Sequence, residues 1–119
     1  MSPSKYKAKK IECDDGKFDS QGEYKRWLIL KGMQDMGLIS NLQRQVSYEL
    51  IPQQKLREPR VRKGRSHHYE MPVKYIADFV YEENGQTIVE DYKGMRLSDY
   101  VIKRKLMKFI HDIEIREVK

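Results

Sequence analysis

Asp78, Asp91 and Lys93 are the residues of this chain whose types and spacing point to chemistry. Two carboxylates set opposite each other repel unless something neutralises them, and a divalent cation does so with one or two carboxylates plus water and phosphate oxygens. A lysine one strand position beyond adds a point charge that can hold an attacking water or offset charge growing on a phosphate. Both acids lie in strand-like stretches, VKYIADFVYE and QTIVEDYK, joined through ENG. Asn84-Gly85 is the strongest short hairpin signal in the chain and favours a two-residue type I′ turn. Partners then lie equally far from the turn, so Val80 faces Val89, Asp78 faces Asp91 and Ile76 faces Lys93. Alternation puts Asp91 and Lys93 on the side of Asp78 and turns Glu90 to the other, where it reads as structural.

Each of these signals has a plainer reading. Charged strand residues commonly make a solvated face, and a bulge at the turn would spoil the register. Glu23, on the first helix, is explained by the capping box SQGE, yet it also lines up with Trp27 and Leu30 on the side expected to face a sheet. His67 and His68 are adjacent, would point to opposite sides of an extended chain, and lack further ligands nearby.

The elements that must position the acids read as helix, three strands, helix, strand. The first helix lies in FDSQGEYKRWLILKGMQDMG, with Ser20 as N-cap and Gly37 as C-terminal stop. Apolar residues lie almost all round it, which suggests burial on more than one side. LQRQVSYELIP alternates as a strand before Pro52. Residues 52–72 carry three prolines and no sustained period, and read as an extended loop or a long, splayed hairpin inserted in the domain. A second helix runs from near Ser98 to about His111, with Ile102, Leu106, Phe109 and Ile110 on one face, and IEIREV closes the chain. The final strand-helix-strand step implies a crossover onto a mixed sheet.

At 119 residues the chain is one domain by length. Four lysines in the first ten positions, with no apolar run after them, make residues 1–17 read as a flexible basic arm ahead of the domain at 18–119. One cysteine excludes a disulfide framework, and the absence of an apolar segment argues for a cytoplasmic protein with no membrane partner. A formal charge of +6 suits a partner that is a polyanion.

Asp78 followed by EDYKG, within an α-β-β-β-α-β order, resembles the PD-(D/E)XK nuclease superfamily, which includes restriction endonucleases, archaeal-type Holliday-junction resolvases and small phage-encoded nucleases. The resemblance runs from about Ser20 to Val118 and implies an α/β, restriction-endonuclease-like core with a mixed central sheet flanked by helices. It implies a Mg²⁺ or Mn²⁺ site made by Asp78, Asp91 and Tyr92, Lys93 assisting the nucleophile, and a further catalytic acid at Glu23. Ala77 stands where such enzymes commonly have Pro, and Asp91 where Glu is frequent. Glu90 beside it leaves open which acid is the ligand, alternation favouring Asp91.

Six basic residues, Lys55, Arg57, Arg60, Arg62, Lys63 and Arg65, against Glu58 alone, fit sequence-independent phosphate contacts. Arg104, Lys105 and Lys108 on the second helix are either a solvated face or a phosphate track, and the resemblance implies that Lys103, near the start of that helix, reaches the active site as basic residues on this helix do in several such families. Tyr69 and Tyr75 are candidates for stacking on bases. The expected activity is a metal-dependent endodeoxyribonuclease, selective for branched or junction DNA and acting as a homodimer, in phage or host recombination or replication. The alternatives are a non-catalytic DNA-binding module or a nuclease subunit of a transposition or restriction assembly.

Overall fold

A computed structural model describes residues 10–92 and 97–119. A short hairpin comes first, β1 (Ile11–Cys13) and β2 (Gly16–Phe18), followed by α1 (Gln21–Asp35) and β3 (Ser40–Ile51). A second hairpin, β4 (Gln54–Arg62) and β5 (Arg65–Glu70), precedes β6 (Val73–Glu83), β7 (Gln86–Tyr92), α2 (Ser98–His111) and β8 (Arg116–Val118). Without the two hairpins the order is the expected helix, three strands, helix, strand. The central sheet is mixed, in the order β3-β6-β7-β8, with β8 parallel to β7. The result is a small α/β domain, and among the described residues no helix is long and apolar enough to cross a membrane.

Local chemistry sets the ends of α1. Ser20 Oγ accepts from the Glu23 N–H at 3.1 Å. Glu23 reaches back as a capping residue does, but its Oε2 accepts from the Asp19 N–H at 2.8 Å, one residue before the cap. At the other end Gly37, at φ 78, gives its N–H to Gln34 O while Leu38 N–H reaches Met33 O, the paired bonds of a Schellman stop.

The two helices take opposite faces. Leu30 packs with Ile39, Phe79 and Tyr81, and Trp27 and Ile88 lie against them. Tyr100 and Met107 of α2 pack with Leu50, Tyr75, Ala77, Val80 and Val89. Three sequence expectations need correction here. Residues 11–18 form a hairpin anchored by buried Phe18, where an arm was expected through residue 17. α1 is buried on one side only, with Leu28 and Ile29 exposed. The inward face of α2 carries Tyr100 and Met107, whereas Ile102, Phe109 and Ile110 face outward. A helix with apolar residues on two stripes can bury either, and the stripe that fits between β3 and β8 is the one holding Tyr100.

Candidate active site

The β6–β7 turn is built as its residues demand. Asn84 and Gly85 both sit at positive φ, 53 and 76, the type I′ pattern. The ladder runs from Glu83↔Gln86 through Val80↔Val89 to Phe79↔Glu90, and just beyond its last pair the Asp78 and Asp91 side chains meet within hydrogen-bond reach. The strand is irregular there. Tyr75, Ala77 and then Val80 join the same core cluster, so the alternation slips by one residue at Asp78. In the neighbouring strand Gln45, between the partners of Ala77 and Phe79, is at φ 54. Irregularities of this kind re-aim a side chain and recur beside active sites.

Asp91 is buried at 1% exposure, and its Oδ2 accepts from the Tyr75 hydroxyl at 2.8 Å. Asp78 Oδ2 accepts from the Tyr92 N–H at 2.8 Å. Burial pushes the Asp78 carboxyl up to about 9, reinforced by hydrogen bonding and charge from Asp91 and by the charge of Glu23, with the Tyr92 N–H opposing. Burial likewise raises the Tyr75 hydroxyl, and the Asp91 charge adds to it. Tyr75 is therefore a neutral donor fixing the Asp91 carboxylate, and at 3% exposure it cannot stack on a base as expected.

Glu23 is 3% exposed and contributes a third charge from α1. Its Oε1 is buried without a hydrogen-bond partner among the described residues. The close seat of α1 explains its position: a Cβ on Gly22 would stand 2.0 Å from the Tyr92 hydroxyl oxygen, so only glycine lets the first helical turn lie over Tyr92.

Glu90 has the opposite task. It is fully buried on the α1 face, where Arg26 meets both its oxygens, Nε to Oε1 at 2.5 Å and Nη2 to Oε2 at 2.9 Å. The Tyr81 hydroxyl donates to Oε2 at 2.5 Å, and burial followed by that bond holds Tyr81 up to about 12. A carboxylate so fully paired is structural. Asp91 is the acid that faces Asp78.

Lys93 lies outside the described residues. Lys103 lines a pocket of about 270 Å³ together with Lys74, Tyr75, Leu97, Asp99 and Tyr100, so it stands next to the tyrosine that holds Asp91. Arg104 is instead drawn inward to Glu117 at 3.0 Å, and Glu117 also accepts from Tyr100 at 2.6 Å. Lys108 pairs with Asp112 and Glu114, leaving Lys105 as an exposed cation of that group. Lys55, Arg57, Arg60, Arg62, Lys63 and Arg65 all lie on the β4–β5 hairpin or its turn, exposed. Tyr75 and Arg26 are the contributors that spacing did not reveal, because each acts through a carboxylate on another strand.

The donor set suits a hard cation, with carboxylate oxygens, an unpartnered Glu23 oxygen and no thiolate or imidazole. Among the described residues no three His, Cys, Asp or Glu side chains are gathered as a ready chelate. The site is thus a carboxylate pair with Glu23 behind it, within what Mg²⁺ requires of a protein.

No curated protein and no solved structure matches this chain. A family model described as a protein of unknown function, DUF1064, matches residues 3–119, and with nearly its whole length covered the chain belongs to that family.

Proposed function

We propose that the protein is a metal-dependent endodeoxyribonuclease. The observation that carries this reading is the like-charged pair of half-buried Asp78 and buried Asp91 on one hairpin, with the unpartnered Oε1 of Glu23 beside it. Bringing a half-buried and a buried carboxylate together costs stability, which supports a site with a use for a cation. Asp78 and Asp91, with Glu23 as an outer acid, would hold Mg²⁺ or Mn²⁺, which supplies charge neutralisation at the scissile phosphate and a more acidic water. Tyr75 orients Asp91, and the Tyr92 N–H orients Asp78. Lys93 takes the role of assisting the nucleophile by its resemblance to the PD-(D/E)XK pattern. The element order around the mixed sheet supports a restriction-endonuclease-like core.

The basic surface favours DNA as substrate, and the small size and the resemblance favour a branched substrate of the Holliday-junction type. Cutting a symmetric junction takes two such sites, hence a homodimer, and Ile102 and Phe109 are exposed apolar residues available to such a contact. The test is cleavage of labelled linear, flapped and four-way-junction DNA with Mg²⁺, Mn²⁺ or EDTA. The wild type should cut only with metal, and Asp91→Asn should lower the rate by about 10³-fold while binding persists. Lys93→Ala should also lose activity. Binding without cleavage in every condition would leave a DNA-binding module in place of an enzyme.

A further inference from the structure

The β4–β5 hairpin has no core to serve. All six residues of β5 and eight of the nine in β4 are exposed, and among the described residues the two strands pair only with each other. Isolated two-stranded ribbons are marginal in water, so one that spans about 30 Å without packing on its own domain is shaped by something outside it. Its charges are sorted by face. Arg62 pairs with Arg65 and Arg60 with His67, which puts these four on one side of the ribbon, while Val61 and Ser66 lie on the other. Lys63 and Gly64 make the turn, both at positive φ, so the tip reads Arg-Lys-Gly-Arg with two arginines directly opposed. Arg62, Lys63, Arg65 and His67 border one shallow concavity. Arg60 is linked to Glu70 at 3.0 Å, but with both side chains well exposed that pair yields readily to a phosphate.

Opposed arginines fit an anion that offers several charges in a row. Arginine forks match phosphate oxygens two at a time, and the apolar side chains of the ribbon are too few to enter a membrane. A ribbon about 10 Å wide fits the major groove of B-form DNA, about 12 Å across, whereas the deep, narrow major groove of an RNA duplex does not admit it.

We propose that β4–β5 is a groove-seated arm that recognises B-form duplex DNA through its Arg60, Arg62, Arg65 and His67 face. The arm springs from Ile51 and Val73, five residues along β6 from Asp78, or about 17 Å. The Arg60 to His67 face lies up to about 30 Å farther out along the ribbon, so a duplex of roughly one and a half turns, at about 34 Å a turn, would reach from the arm to the acids. The assignment takes its substrate from the nuclease reading, and its binding is measured independently of cleavage.

The experiment is fluorescence anisotropy of the full chain in EDTA, with labelled duplex DNA, duplex RNA and single-stranded DNA over a salt series. Arg62→Ala combined with Arg65→Ala should weaken duplex DNA binding by at least 10-fold and reduce the salt slope by about two. Lys25→Ala, an exposed cation on α1, should change it by under about threefold, and single-stranded DNA should lose less than duplex. Duplex affinity within twofold of wild type in the double variant would overturn the assignment, as would wild-type binding of duplex RNA as tight as duplex DNA. Because Asp91 takes no part in this readout, an inactive protein whose duplex binding still depends on Arg62 and Arg65 would refute the nuclease reading and sustain the arm.

Discussion

The hairpins β6–β7 and β4–β5 turn through the same kind of residue pair, Asn84-Gly85 and Lys63-Gly64, and each sets like charges across its ladder. Their surroundings differ. Asp91 is buried and Asp78 half-buried, whereas Arg62 and Arg65 stand in solvent. At about 5 Å two unit charges repel by about 1 kcal/mol in water and about 3 kcal/mol at an effective dielectric near 20. The exposed pair is therefore nearly free until a polyanion meets it. In the hairpin interior loss of water comes first and the Asp91 hydrogen bond and charge add to it, and together they push the Asp78 carboxyl up to about 9. The same turn chemistry makes a responsive site when buried and a passive contact surface when exposed.

The comparison can be tested in descending order of effect. Glu90→Gln leaves Arg26, 21% exposed, facing a neutral amide, and should cost about 3 kcal/mol in urea unfolding. A loss below about 1 kcal/mol would mean that β7 does not depend on this anchor.

Asp78→Asn should act in the opposite direction. The native carboxyl, raised to about 9 from an ordinary 3.8, binds a proton that the unfolded chain releases, so stability is complete below about pH 4 and declines as pH rises toward 9. In EDTA the asparagine variant should lack this decline and, at pH 8.5, exceed wild type by on the order of a few kcal/mol while being inactive. Parallel stability profiles for the two proteins across that range would contradict the buried-pair account.

Alanine at either turn glycine separates the hairpins without touching a charge. Neither Gly64 nor Gly85 has an atom within 4 Å of a new Cβ, so the strain is confined to a backbone at φ 75 or 76 and costs about 1–2 kcal/mol. Gly85→Ala should lower the global unfolding midpoint by that amount. Gly64→Ala should leave it unchanged and speed amide exchange in the β4–β5 ribbon alone. Equal global losses would show that the ribbon is coupled to the core.

Arg62→Ala, the smallest change, removes a repulsion in solvent. It should move global stability by less than about 0.5 kcal/mol while DNA affinity falls.

Much of the acid pair was legible because it rests on local rules. A two-residue turn leaves one register, and alternation then separates Asp91 from Glu90 on opposite faces. The caps of α1 were legible for the same reason, since Ser20 and Gly37 act within a few residues of themselves. The ribbon was half legible: its prolines and charges marked an insertion, and Lys63-Gly64 closes it as a hairpin whose strands slip register between Lys55 and Arg60, across Pro59.

What the sequence by itself determined is therefore the order of the core elements, the nearness of Asp78 and Asp91 across the Asn84-Gly85 turn, and the charge of the inserted segment, all of which follow from contacts short in sequence or from composition. Tertiary structure alone decided which stripe of α2 is buried and which of its cations remain exposed once Arg104 turns in to Glu117. It also decided that Arg26 neutralises Glu90 from 64 residues away, and that the Tyr75 hydroxyl donates to Asp91. Those outcomes depend on the volume and charge that distant elements bring together on packing, and no periodicity within a single element encodes them.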